Sequence, residues 1–262
     1  MTSPAHRIAA LVAVIALVAL ADHARAATDD IGSATAITTT VTGATGSAAT
    51  TLKSGDAVFQ NETITTDANG IGQFQFRDQT KLAVGPGSTV TLDNLVYDSD
   101  TSKAKVVINL TSGAMRFITG KADHDAYEIV TPTATIGVRG TVFDVYTKPD
   151  GELAVAMIDG AVEVCPRVGA CRVHNVVGEF LHMTSLGEFS LRKTWDGSFL
   201  SGVPFKVALP FLGDQKNLLP SLRGRSTAIG KYLATAGNDI GKALKTPVIK
   251  LPRLKLPKLF GR

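Results

Sequence analysis

From Leu52 to Leu191 the chain falls into short runs in which apolar and polar residues alternate, and Gly, Asp or Asn turns close each run. The runs are GQFQFRD (Gly72 to Asp78), TKLAVG (Thr80 to Gly85), TVTLDNLVY (Thr89 to Tyr97), KVVINL (Lys105 to Leu110), AMRFITG (Ala114 to Gly120), AYEIVT (Ala126 to Thr131), TVFDVYT (Thr141 to Thr147), ELAVAMI (Glu152 to Ile158) and AVEVC (Ala161 to Cys165). Between them stand DANG, GPGS, SG, KPDG and DG. A period of two sends successive side chains to opposite faces of a strand. Its recurrence with turn signals about every eight to twelve residues predicts an all-β sandwich, barrel or roll of short, mostly antiparallel strands. LKSGDAVF (Leu52 to Phe59), LTSGAMRF (Leu110 to Phe117) and MIDGAVEV (Met157 to Val164) repeat one turn-then-strand pattern, at spacings too uneven for a solenoid.

The ends differ from this block. A weakly basic start, Met1 to Arg7, precedes the apolar run Ile8 to Ala21 and the small-x-small pattern of Ala24 and Ala26. The run is shorter than the roughly 20 residues of a comfortable membrane span. It predicts a signal peptide over residues 1–26, cleaved after Ala26, and so an exported chain in the periplasm, on the cell surface or beyond it. Residues 27–51 are mostly Ala, Thr, Gly and Ser and predict a flexible leader with one weak edge strand around Ile37 to Val41. The β domain is expected over 52–190. An extension over 191–244 carries a weak helical period at Ile229, Leu233 and Ile240, interrupted by glycines. Residues 245–262, with the near-repeat LPRLK LPKLF, form a basic tail whose prolines forbid helix.

Charge is concentrated at that end. Seven Lys or Arg and no acid lie between Ile240 and Arg262, while the stretch from Ala27 to Asp239 holds 18 basic and 22 acidic residues. The net charge of +4 therefore belongs to the tail and gives no nucleic-acid face. The tail has two readings, a contact with anionic membrane or polymer and a solvated end.

Cys165 and Cys171 frame CPRVGAC. In an oxidising compartment so close a pair is expected to form a disulfide, a local staple worth about 2 kcal/mol. Adding His174 and His182 would give four zinc ligands, but structural zinc sites place the first pair about two to four residues apart. Asp98 and Asp100 begin like a calcium loop that lacks its turn glycine and terminal Glu. His124 sits among carboxylates and reads as a solvated hinge. GxSxG and HExxH are absent, so no catalytic residue, cofactor site or metal site is assigned.

The order of LKSGDAVFQNETITTD, FRDQTKLAVGPGSTVTLDNLVYD, LTSGAMRFITG, YEIVTPTATIGVRGTVFDV and GELAVAMIDGAVEV, from about Leu52 to Phe180, resembles the FecR domain named for the iron-dicitrate transport regulator. The resemblance implies an exported, mainly β module without catalytic activity. It also implies roles for a structural motif. Thr131 and Pro132 would end a strand, and Gly137 and Gly140 would let the backbone turn or pack closely before Thr141. Arg139 would clamp the bend through carbonyls or a carboxylate such as Asp144. The founding member reaches a cytoplasmic sigma factor through a cytoplasmic segment and a membrane helix. A cleaved signal in their place leaves iron regulation outside what carries over. The expectation is a non-enzymatic envelope module that binds a protein or an envelope polymer, with a receptor-coupled or sigma-coupled sensor as the alternative and a hydrolase as a remote third.

Overall fold

The computed structural model describes residues 30–96, 105–122, 126–196, 198–213, 215–225 and 227–233. The signal segment with Ala26, the tail 245–262, Asp98, Asp100, His124 and Ile240 lie outside the described residues.

Among the described residues the alternation becomes fifteen strands hydrogen-bonded into one sheet that rolls over on itself. Three long strands make the roll, each 14 residues: β9 (Lys105–Ile118), β11 (Ala134–Thr147) and β12 (Leu153–Pro166). Each changes partners along its length. The first half of β9 pairs antiparallel with β8 (Thr89–Val96) and parallel with β10 (Tyr127–Val130), while its second half lies between β7 (Lys81–Val84) and β11. β11 exchanges β10 for β9 in the same way while keeping β12 on its other side. Early residues of β12 pair with β14 (Phe180–Met183), later ones with β13 (Arg172–His174), and β15 (Phe189–Arg192) closes this end. Inside the roll, Phe74, Phe117, Tyr127, Phe143, Val145 and Met157 are among the buried residues of one core. Each large side chain there contributes about 1.5–3 kcal/mol by leaving water.

Residues 30–51 do not form the expected flexible leader. They form β1 (Asp30–Thr38), β2 (Val41–Thr45) and β3 (Ala48–Thr51). β1 pairs with β4 (Ala57–Phe59) and β6 (Ile71–Phe76), and β2 with β3 and β5 (Glu62–Thr66). The small residues mark close approach instead of disorder. A Cβ on Gly32 would stand 2.8 Å from Phe76 Cα, and one on Gly43 would strike the Glu62 carboxylate. Ile31, Ala34 and Val41 supply enough apolar burial to order the segment.

After β15 the chain leaves the sheet. Short 3-10 turns at Phe199–Gly202 and Pro220–Leu222, one-turn helices at Phe205–Ala208 and Pro210–Gly213, and a helical stretch at 227–233 run over the sheet's outer face. Prolines at 204, 210 and 220 keep the turns short. Trp195, Phe199, Leu209 and Tyr232 pack with Ala154, Ala156, Ile158 and Phe180. The Phe180 ring lies 5.4 Å from Trp195 and 5.1 Å from Tyr232, and the Tyr232 hydroxyl donates to Met157 O. These turns and short helices after β15 form a strap over the sheet, and small alanines on this face of β12 let the strap come close. Of its expected apolar period, Ile229 is buried and Leu233 is exposed. Among the described residues no helix is long and apolar enough to cross a membrane.

Candidate functional site

The Thr131–Thr141 motif is a turn followed by a bulge. Thr131 Oγ1 donates to Ala134 O at 2.9 Å and accepts from Ala134 N at 3.0 Å, tying off the β10–β11 turn that contains Pro132. Gly137 lies directly between Glu128 and Glu163 on the flanking strands, an added Cβ would meet only Glu163 O at an ordinary 3.9 Å, and its φ is ordinary. Gly140 is different. The register slips between Arg139 and Val142, and Gly140 takes φ +60 opposite Gly160 at φ +83. A Cβ on Gly160 would stand 2.5 Å from Gly140 O. These two glycines build the bulge at which β11 exchanges β10 for β9. Thr141 is buried beside it, its backbone N donating to Thr119 Oγ1 at 3.1 Å and its own hydroxyl without a partner.

Arg139 is not the clamp. Its side chain is exposed and, among the described residues, makes no hydrogen bond or ion pair. Asp144 belongs to Arg116 instead. Five positions along the strand separate Arg139 from Asp144, about 16 Å at roughly 3.3 Å each, whereas Arg116 faces Asp144 directly across β9 and β11. Directly opposed strand residues stand about 5 Å apart at Cβ.

All five guanidinium N–H groups of Arg116 are engaged. Nε and Nη2 donate to the Asp144 oxygens at 2.6 and 2.8 Å. Nη2 also donates to Phe211 O at 3.1 Å, and Nη1 donates to Leu222 O at 3.1 Å and Gln215 Oε1 at 3.2 Å. The guanidinium carbon lies 5.8 Å from the centre of the Phe211 ring. Burial pushes the Asp144 carboxyl upward, and the bonds from Arg116 oppose that push. Three of the five bonds thus run to the strap. Its outward phase on AMRFITG makes Arg116 look like a surface residue, and the sequence reading passes over it.

A second polar cluster joins the strap to the sheet. Glu152 accepts from Lys148 Nζ at 2.9 Å and from Ser201 Oγ at 2.7 Å, and its other oxygen lies 2.8 Å from His182 Nε2. His182 Nδ1 is 3.2 Å from Ser190 Oγ, and its ring lies 5.1 Å from that of Phe199. Burial pushes Glu152 up, but the bonds from Lys148, Ser201 and His182 outweigh it and hold the carboxyl below its ordinary range. Ser190, His182 and Glu152 form a line of the kind a hydrolase uses. Ser190, however, is paired within the β14–β15 ladder, and the carboxylate is shared with Lys148 and Ser201. The arrangement is better suited to fixing Ser201 against the sheet than to activating Ser190.

Cys165 and Cys171 are joined as a disulfide. The thiolates needed for zinc are therefore consumed. His174 lies buried, its Nε2 3.2 Å from Glu179 O, and burial lowers its pKa. Among the described residues no group of three His, Cys, Asp or Glu side chains could hold a metal.

Residues 62–163 match the family model described as FecR protein. The chain carries a FecR domain. It runs from the start of β5 into β12 and contains the bulge glycines, Arg116 and Asp144, whereas Phe211, Gln215 and Leu222 lie outside it. Arg116 is thus where the FecR domain grips the rest of the chain. Two crystal structures of a candidate anti-sigma factor from Parabacteroides distasonis ATCC 8503 are similar to the chain at 16% and 17% identity, with TM-scores of 0.41 and 0.40. The similarity covers 50% of this chain and 58% of the length of each solved chain. No curated protein matches.

Proposed function

We propose that this FecR-domain protein is exported and acts by surface contact, as a non-enzymatic binding module of the bacterial envelope. The observation that carries the reading is that the buried Arg116 and Glu152 are fully engaged in structural contacts. Arg116 spends two donors on Asp144 and three on the strap, and Glu152 spends one oxygen on His182 and the other on Lys148 and the strap's Ser201. Side chains occupied in this way stabilise a scaffold and leave its surface for partners. Export is supported by the Cys165–Cys171 bond, a feature of oxidising compartments, together with the apolar run Ile8 to Ala21. The FecR domain itself favours a second reading, in which the contact belongs to an envelope sensing or regulatory assembly.

Cross-linking in intact envelopes, followed by affinity purification of the full chain, separates the two. Recovery of one stoichiometric membrane protein supports the regulatory reading, and retention on purified cell-wall glycan supports the polymer-binding module. N-terminal sequencing that fails to find a mature chain starting at Ala27, or turnover of ester or glycoside substrates abolished by Ser190→Ala, overturns the proposal.

A further inference from the structure

Two loops outside every contact described so far meet at one end of the roll. One is the stapled loop between Cys165 and Cys171, and the other is the turn from Thr184 to Glu188 that joins β14 to β15. Their apexes carry the two most exposed large apolar side chains among the described residues, Val168 at 85% and Leu186 at 84%. The apexes are held together. Gly187, at φ +87, brings its turn so close that an added Cβ would stand 3.1 Å from Pro166 Cβ and 3.3 Å from Val168 O. Arg167 N donates to Thr133 O at 2.9 Å, fixing the stapled loop to the turn that begins the motif. Between the two apexes lies a shallow hollow of about 250 Å³ bordered by Pro166, Arg167, Val168 and Leu186.

An apolar pair at fixed, protruding positions is expensive to leave in water, and a disulfide that rigidifies the loop keeps it from folding inward. Charge identifies the occupant. Arg167 lies within the stapled loop and Arg172 directly follows it, both exposed and without an ion pair among the described residues. Glu188 is the single acid on the two tips. Apolar side chains projecting beyond a cationic collar are what an anionic bilayer surface accepts, the apexes entering the acyl boundary while the guanidinium groups meet the phosphates. We infer that the paired tips around Val168 and Leu186 are a contact site for anionic lipid surfaces. This site is distinct in sequence from the basic tail and independent of the function proposed above.

The test is sedimentation of the full, disulfide-intact chain with vesicles of mixed phosphatidylglycerol and phosphatidylcholine. The double variant Val168→Asp, Leu186→Asp should reduce the partition coefficient about tenfold or more. Both residues are exposed, so its melting temperature should match that of the native protein. Arg167→Glu with Arg172→Glu should weaken binding to the mixed vesicles and leave binding to pure phosphatidylcholine unchanged. High salt separates the tips from the tail: the double aspartate variant should still bind more weakly than native protein when electrostatic attraction of the tail is screened. Equal sedimentation of native and Val168→Asp, Leu186→Asp protein overturns the inference. So does native protein that ignores the vesicles but self-associates through these residues, since the tips would then be a protein interface.

Discussion

Arg116 and Asp144 face each other across β9 and β11 and are joined by two parallel bonds of 2.6 and 2.8 Å, with neither side chain reaching solvent. Arg116→Ala would leave a carboxylate buried without its counter-ion and remove the side-chain donor from the strap carbonyls of Phe211 and Leu222, while Gln215 Oε1 keeps Gly224 N. It should destabilise the protein by about 3–5 kcal/mol. Arg116→Lys should recover little, because one ammonium cannot supply the planar fork. Replacing both members with apolar residues of similar size should recover much of the loss, since no charge then remains buried. Urea unfolding of the three variants checks this, and an Arg116→Ala midpoint equal to native would remove the centre from the account.

The bulge makes a contrast between neighbouring glycines. Gly140 and Gly160 occupy positive φ and crowd each other, whereas a Cβ on Gly137 would meet only Glu163 O at an ordinary 3.9 Å and its φ is not positive. Gly140→Ala and Gly160→Ala should each cost about 1–3 kcal/mol, the latter more because its Cβ meets a backbone oxygen. Gly137→Ala should stay within about 0.5 kcal/mol. Thermal unfolding of the three proteins decides it.

The roll itself is legible in the sequence because period-two alternation from Gly72 to Cys165 needs no tertiary information. What escapes it depends on which face is covered. Small residues at Gly32 and Gly43 look like disorder until Phe76 and Glu62 are placed against them. Arg116 reads as solvent-facing because the strap that covers it lies about a hundred residues away, as its 106-residue separation from Leu222 indicates. One signal was present. LAVAMI, Leu153 to Ile158, is apolar in both phases, and a strand apolar on both faces is buried on both. That run announces a cover over β12, although it does not say which segment provides it.

Arg139 lies on the exposed side of the bulge without a partner among the described residues. Arg139→Ala should therefore leave the melting free energy within about 0.5 kcal/mol of native. A larger loss would restore the clamp. Unchanged stability with weakened capture of a cross-linked partner would instead make Arg139 part of the contact surface.

Acid should loosen the strap through Glu152. Its carboxyl titrates below its ordinary 4.5 in the folded protein, because the bonds from Lys148, Ser201 and His182 outweigh burial. A depressed carboxyl contributes stability that is fully present above 4.5 and is lost as pH falls through the folded value. Glu62 works in the opposite sense. Burial raises it, so it removes stability as pH rises past 4.5. Urea midpoints followed from pH 7 through 4.5 and below should thus fall on the acid side in native protein, and fall less steeply in Glu152→Gln, which begins from a lower neutral value. Glu62→Gln should steepen the acid-side loss, because its opposing contribution is gone. Since Ser201 Oγ reaches Glu152 at 2.7 Å from the strap, proteolysis between Ser201 and Leu222 should accelerate over the same pH range. If native and Glu152→Gln proteins lose stability in parallel, the cluster does not hold the strap and the acid sensitivity arises elsewhere.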